Sequence, residues 1–149
     1  MCVSKDFSVV EVSYSNSDDL LTIDQPIESV AKHVKLSGGE SFAIVKYIIE
    51  PFESIHPIVF VNEATLKQSY GISEEINTKF QKYCEAVMIG IQLSAENFYN
   101  KYQIKIGKIK ITLLELLMHP SDSKESAYKA VGIMIIRDNF RAVQVPNIG

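Results

Sequence analysis

The chain has no tryptophan, only two cysteines and no excess of positive charge: 15 Lys and Arg against 18 Asp and Glu leave −3 over 149 residues. Each shortage removes a class of explanation. Cys2 and Cys84 stand far apart and no Cys-x-x-Cys occurs, so neither a disulfide framework nor a zinc ribbon is expected. The slightly acidic balance argues against wholesale coating of nucleic acid, which needs a basic face to release counterions, although a local basic face is still allowed. No apolar run approaches the roughly 20 residues that span a bilayer. Met1 to Ser8, carrying Lys5 and Asp6, lacks the apolar stretch of a signal peptide. The expectation is a soluble, cytoplasmic protein with no membrane partner. Neither G-x-x-x-x-G-K-[ST] nor G-x-G-x-x-G occurs, so no nucleotide or other cofactor is expected.

What is present reads as one globular domain over 1–149. The length suits a single core, and 46% hydrophobic with 22% charged residues excludes a disordered chain. Ser8 to Ser13 is a short β-like run, and Tyr14 to Asp19 a polar loop. The stretch after Pro26, "IESVAKHVKL", alternates imperfectly and suits a strand partly open to solvent. Ser37-Gly38-Gly39 marks a hairpin, where glycine permits positive φ. From Ala43 to Phe52 both strand faces carry apolar groups, as in a central strand, and Pro51 should end it. A further strand starts at Ile58.

Ser73 to about Tyr99 reads as a helix. Ser73 can cap it, and Ile76, Phe80, Cys84, Val87, Ile91, Ala95 and Phe98 recur on one face. Gly90 inside that pattern predicts a close backbone approach. Ile104 to Leu117 reads as one long strand with a bulge at Gly107-Lys108, where the apolar parity switches. Lys105, Lys108 and Lys110 make it a basic strand face. A second helix begins near Asp122, which with Glu125 forms a variant capping box. Its apolar residues extend from one face around Ile133 to Ile136, so it should lie deep against the sheet or meet a partner. Strands, helix, strand, helix is the order of an α+β two-layer sandwich: a mixed sheet of about four strands with two helices on one face.

Chemistry is sparse. His119 and Asp122 flank Ser121 and precede Ser123, which resembles a base, an orienting carboxylate and a nucleophile. Short polar residues at a helix start more simply make a turn and satisfy free N–H groups, or hold a phosphate there. Gly38-Gly39 is better explained as a hairpin than as a ligand loop. The turn reading leaves no catalytic site expected; His33, His56 and His119 are scattered and form no helical i, i+4 pair, so no metal site is expected either. The three lysines either touch RNA phosphates or solvate an exposed strand.

Two segments carry a resemblance to a known family. "SGGESFAIVKYIIEPFE", from Ser37, resembles the hairpin and strand of domain IV of translation elongation factor G. "IKITLLELLMHPSDSKESAYKAVGIMIIRDNF", from Ile109, resembles the same domain's long strand, histidine loop and closing helix. In that family the loop reads H-x-x-D-S-S-E followed by A-[FY]-K. His119, Asp122, Ser123, Glu125, Ala127, Tyr128 and Lys129 match it in order, with Lys124 in place of the second serine. Pro26-Ile27-Glu28 resembles the family's opening strand, and Ser73 to Ile91 its first helix, so the resemblance covers about residues 22–142.

The resemblance implies a ribosomal protein S5 domain 2-like fold. It also implies a non-enzymatic role as a tRNA-mimicking arm whose tip meets the ribosome or RNA. Gly38, Gly39, Glu40, His119, Ser121, Asp122 and Ser123 would form that tip. The chain departs from the family at Glu40, Ser41 and Phe42, where the family has an arginine and further glycines. That acidic replacement repels phosphate and supports an alternative expectation. In it the fold serves protein interaction or self-association, as a homodimer or with a partner through the second helix, and has lost the RNA role.

Overall fold

In a computed structural model of the chain, residues 6–10, 20–35, 41–67, 74–119 and 123–140 are described. The elements are β1 (Asp6–Val10), β2 (Leu20–Leu21), β3 (Ile27–Lys35), β4 (Ser41–Pro51), β5 (Ile58–Lys67), α1 (Glu74–Tyr102), β6 (Lys105–Ile106), β7 (Ile109–Leu117) and α2 (Glu125–Phe140). Five strands form one mixed sheet in the order β1-β5-β7-β4-β3. All neighbours run antiparallel except β5 and β7, which are parallel because α1 carries the chain back between them. The fold is the α+β sandwich that the sequence predicts, with β1 as an additional edge strand.

The two helices pack on each other and cover one face of the sheet. Alternation in β4 shows why: Ala43, Val45, Tyr47 and Ile49 are buried, while Ile44, Lys46, Ile48 and Glu50 on the opposite face are half-exposed. In β7 Ile109, Ile111 and Leu113 point into the same core. Beyond Leu113 the register slips: Tyr47 faces Leu113 but Lys46 faces Glu115, leaving Leu114 as the extra residue. That slip lets Leu116 rejoin the buried face.

The bulge expected at Gly107-Lys108 is therefore corrected. The chain does not run as one strand from Ile104. It leaves a small parallel pair, β2 with β6, and enters the main sheet at Ile109. The Gly107 N–H donates to the Leu21 carbonyl at 3.1 Å, and Lys108 takes a positive φ of 58° to make the change of direction. The parity switch in the sequence marks a change of sheet.

The buried stripe of α1 includes Phe80, Cys84, Val87, Ile91 and Ala95, as its spacing predicts. The helix stops at Gln103, whose φ of 60° and N–H bond to the Tyr99 carbonyl at 2.7 Å close the last turn. Gly90 meets Gly132 of α2. A Cβ added to Gly90 would lie 2.1 Å from the Lys129 carbonyl oxygen, and one added to Gly132 2.1 Å from that of Val87. Only paired glycines let the two backbones touch. Ile135 and Ile136 are fully buried. Much of the apolar breadth of α2 is thus taken up inside the molecule, which removes the route to a partner through those residues. α2 begins at Glu125 rather than near Asp122; Asp122, the predicted cap, lies outside the described residues, as does Ser73.

Candidate functional site: one end of the sheet

β3 and β4 run antiparallel with Lys35 opposite Ser41, so β3 finishes at the end of the sheet where β4 begins. β7 runs antiparallel to β4 and finishes at that same end, Leu117 facing Ile44. Gly38, Gly39, Glu40, Ser121 and Asp122 lie outside the described residues. The residues that flank them come together all the same. The His119 and Phe42 rings sit 5.7 Å apart, tilted by 48°.

Ser123 ties the two chain segments. Its hydroxyl donates to the Phe42 carbonyl at 2.9 Å and accepts the His119 backbone N–H at 2.8 Å. The Ser123 N–H points back to the His119 carbonyl at 3.4 Å. Beneath, the Tyr128 hydroxyl bonds the Leu117 carbonyl and lies 3.1 Å from Ser123 Oγ. Three oxygen–oxygen contacts thus join Ser123 and Tyr128 to each other and to the Phe42 and Leu117 carbonyls. The Tyr83 hydroxyl donates to the Ser123 carbonyl at 3.1 Å, and its ring stacks on Tyr128 at 4.4 Å. Strands β4 and β7 and helices α1 and α2 all meet at this network.

The chemistry follows from where each proton goes. Ser123 gives its hydrogen to the Phe42 carbonyl, and its Oγ accepts the His119 backbone N–H. Ser123 thus fastens the start of β4 to the chain leaving β7. Among the described residues no group of three His, Cys, Asp or Glu could hold a metal ion. His56 is in an exposed bend and His33 in β3, both apart from His119 in the chain path.

The predicted lysines lie elsewhere. Lys105 is in β6, Lys108 in the connection and Lys110 in β7, so they share no strand face. They cluster at the opposite end of the sheet: from Ile109 to Leu117 is eight steps, about 26 Å at the usual strand rise. Lys108 pairs with Glu53 at 3.7 Å and Lys110 with Glu50 at 3.8 Å, and Lys110 also stands over the Phe52 ring at 5.0 Å. Each of these two cations already has a counter-charge. Among the described residues, Lys35, at the end of β3, and Lys124, just before α2, are exposed cations at this end. Sequence reasoning singled out neither, because only the fold sets Lys35, opposite Ser41, near the start of β4, to which Ser123 beside Lys124 is tied. No described helix is long and apolar enough to cross a membrane.

No protein-family profile matches the sequence. Among solved structures, a protein of Thermus thermophilus resembles the chain with a TM-score of 0.52 and 22% identity over 75% of its residues. The match occupies only 15% of that protein, so the chain spans a small part of the length of the structure it matches. At that identity the likeness establishes the fold: an α+β sandwich recurs in both.

Proposed function

We propose that the protein is a non-enzymatic module that resembles domain IV of elongation factor G and docks on the ribosome or on RNA through the end of the sheet bearing His119. One observation carries the reading. Phe42, soon after Gly38-Gly39 in the sequence, and His119 and Ser123, some eighty positions on, are fastened together. A docking tip needs a firm base, and the Ser123–Tyr128–Tyr83 network holds Phe42, His119 and Ser123 together from below. Lys35 and Lys124 give the tip its exposed positive charge.

Co-sedimentation with small ribosomal subunits across a salt series tests this. Binding should weaken with salt, with a log–log slope of roughly 0.7–0.9 per phosphate contact. A Lys35→Glu/Lys124→Glu variant should lose binding, and Lys108→Glu/Lys110→Glu should retain it. Equal loss in both, or none in the first, refutes the tip.

A second reading is a self-association or protein-interaction domain that has lost the RNA role. It is favoured by the ion-paired state of Lys108 and Lys110 and by Val30 and Val34, which are 47% and 40% exposed on the sheet.

A further inference from the structure

We propose that two copies of this chain pair antiparallel along β3, centred on Val30, to make one continuous sheet. The inference rests on the self-association reading and names its surface. β3 is an edge of the five-stranded sheet, and among the described residues no strand pairs with its outer side. Nine residues long, it presents Glu28, Val30, Lys32 and Val34 on the face away from the helices, all four exposed. Two of the exposed large apolar side chains of the molecule, Val30 and Val34, are in this row. An edge of this length is an open template unless its charges prevent pairing.

Here the charges select a register. With Val30 opposite Val30 across a two-fold axis, Glu28 of each copy faces Lys32 of the other, and Pro26 faces Val34. Both ion pairs and the apolar contacts fall on one face. Centring on Glu28 sets two carboxylates against each other, and centring on Lys32 sets two ammonium groups together. Centring on Ser29 or Ala31 leaves both charges opposite apolar residues or proline. Only the Val30 register satisfies every group, because Glu28 and Lys32 stand two residues either side of it. Glu28 already lies 3.5 Å from Lys46 of its own β4, so each carboxylate would sit between two ammonium groups. The two-fold axis makes the contact self-limiting, a dimer rather than a fibre. One strand edge and its flanking side chains cover less than about 1,200 Å², so the dimer is a weak one.

Sedimentation velocity over a wide concentration range, with Glu28→Lys and Lys32→Glu variants, tests the proposal. The unsubstituted chain should form a reversible dimer that weakens with salt. Each single variant turns two attractive pairs into two repulsive ones and should raise the dissociation constant by about tenfold or more. An equimolar mixture of the two variants should dimerise again. One copy then carries ammonium groups at both charged positions of the row and the other carries carboxylates at both, so each cross-strand pair is attractive. The double exchange in one chain should also restore pairing. Recovery on mixing cannot come from misfolding of either variant. A chain that stays monomeric at every concentration overturns both the strand assignment and the self-association reading. A dimer indifferent to both variants overturns the strand assignment alone. Loss in the single variants without recovery on mixing overturns the register.

Discussion

Replacing Gly132 by alanine should destabilise the protein although alanine is the better helix former. The methyl group would lie 2.1 Å from the Val87 carbonyl oxygen and 2.9 Å from both Gly90 Cα and Ile91 N. All three are backbone atoms of α1, so no side chain can turn aside. Ordinary contact begins near 3.4 Å, so the helices must part by about 1 Å or more, which forfeits a large share of the dispersion contact along their crossing. Overpacking of this kind costs about 1–3 kcal/mol, and immovable neighbours place it at the upper end. The gain in helix propensity returns about 1 kcal/mol. The net loss is roughly 2 kcal/mol, which shifts a urea midpoint by about 1 M for a slope of roughly 2 kcal/mol/M. Gly90→Ala should cost a similar amount. The double variant should cost less than the sum, because helices already separated by one methyl group accommodate the second. Urea unfolding followed by far-UV circular dichroism reads all three. A Gly132→Ala protein as stable as its parent would show that the crossing is not set by backbone contact.

The loop fastener should be measurable too. Tyr128→Phe and Ser123→Ala should each cost about 1–2 kcal/mol, since each leaves a partly buried carbonyl without its donor, and a double-variant cycle should give a coupling of at least about 0.5 kcal/mol. Additive losses would mean that the contact between the Ser123 and Tyr128 hydroxyls contributes nothing. Cys84 is buried, and that burial pushes its thiol from 9.0 up to about 12, with Glu85 also raising it and the Asn62 side chain opposing. In a Cys2→Ser background, thiol reagents at neutral pH should label Cys84 only as fast as the protein opens. Because the folded thiol resists ionisation, its contribution to stability is complete below about pH 9 and is lost as pH rises toward about 12. Labelling of the native protein at the rate of a free thiol would contradict the burial.

Where a segment's own period decided its state, the sequence was enough. The α1 stripe from Phe80 to Ala95 is buried as spaced, and β4 alternates as its apolar positions require and ends at Pro51. The need for close backbone contact at Gly90 was legible as well, since glycine in a helix interior weakens the helix unless something presses against it. The partner, Gly132, was not legible, because a helix pair is chosen by how the whole sheet orients both rods. Gly107-Lys108 misled for the same reason: a parity switch is identical for a bulge and for a strand that changes sheets.

For the candidate site the division is sharper. The sequence determined that a sheet with two helices on one face would form. Only the tertiary structure decided that Phe42 meets His119 and that Ser123 joins them over Tyr128 and Tyr83. It also decided that Lys108 and Lys110 lie at the far end with their own carboxylates. Local propensity acts over a few residues, whereas strand order sets which distant residues are neighbours. Positions 42 and 119 become adjacent only because β7 inserts between β4 and β5.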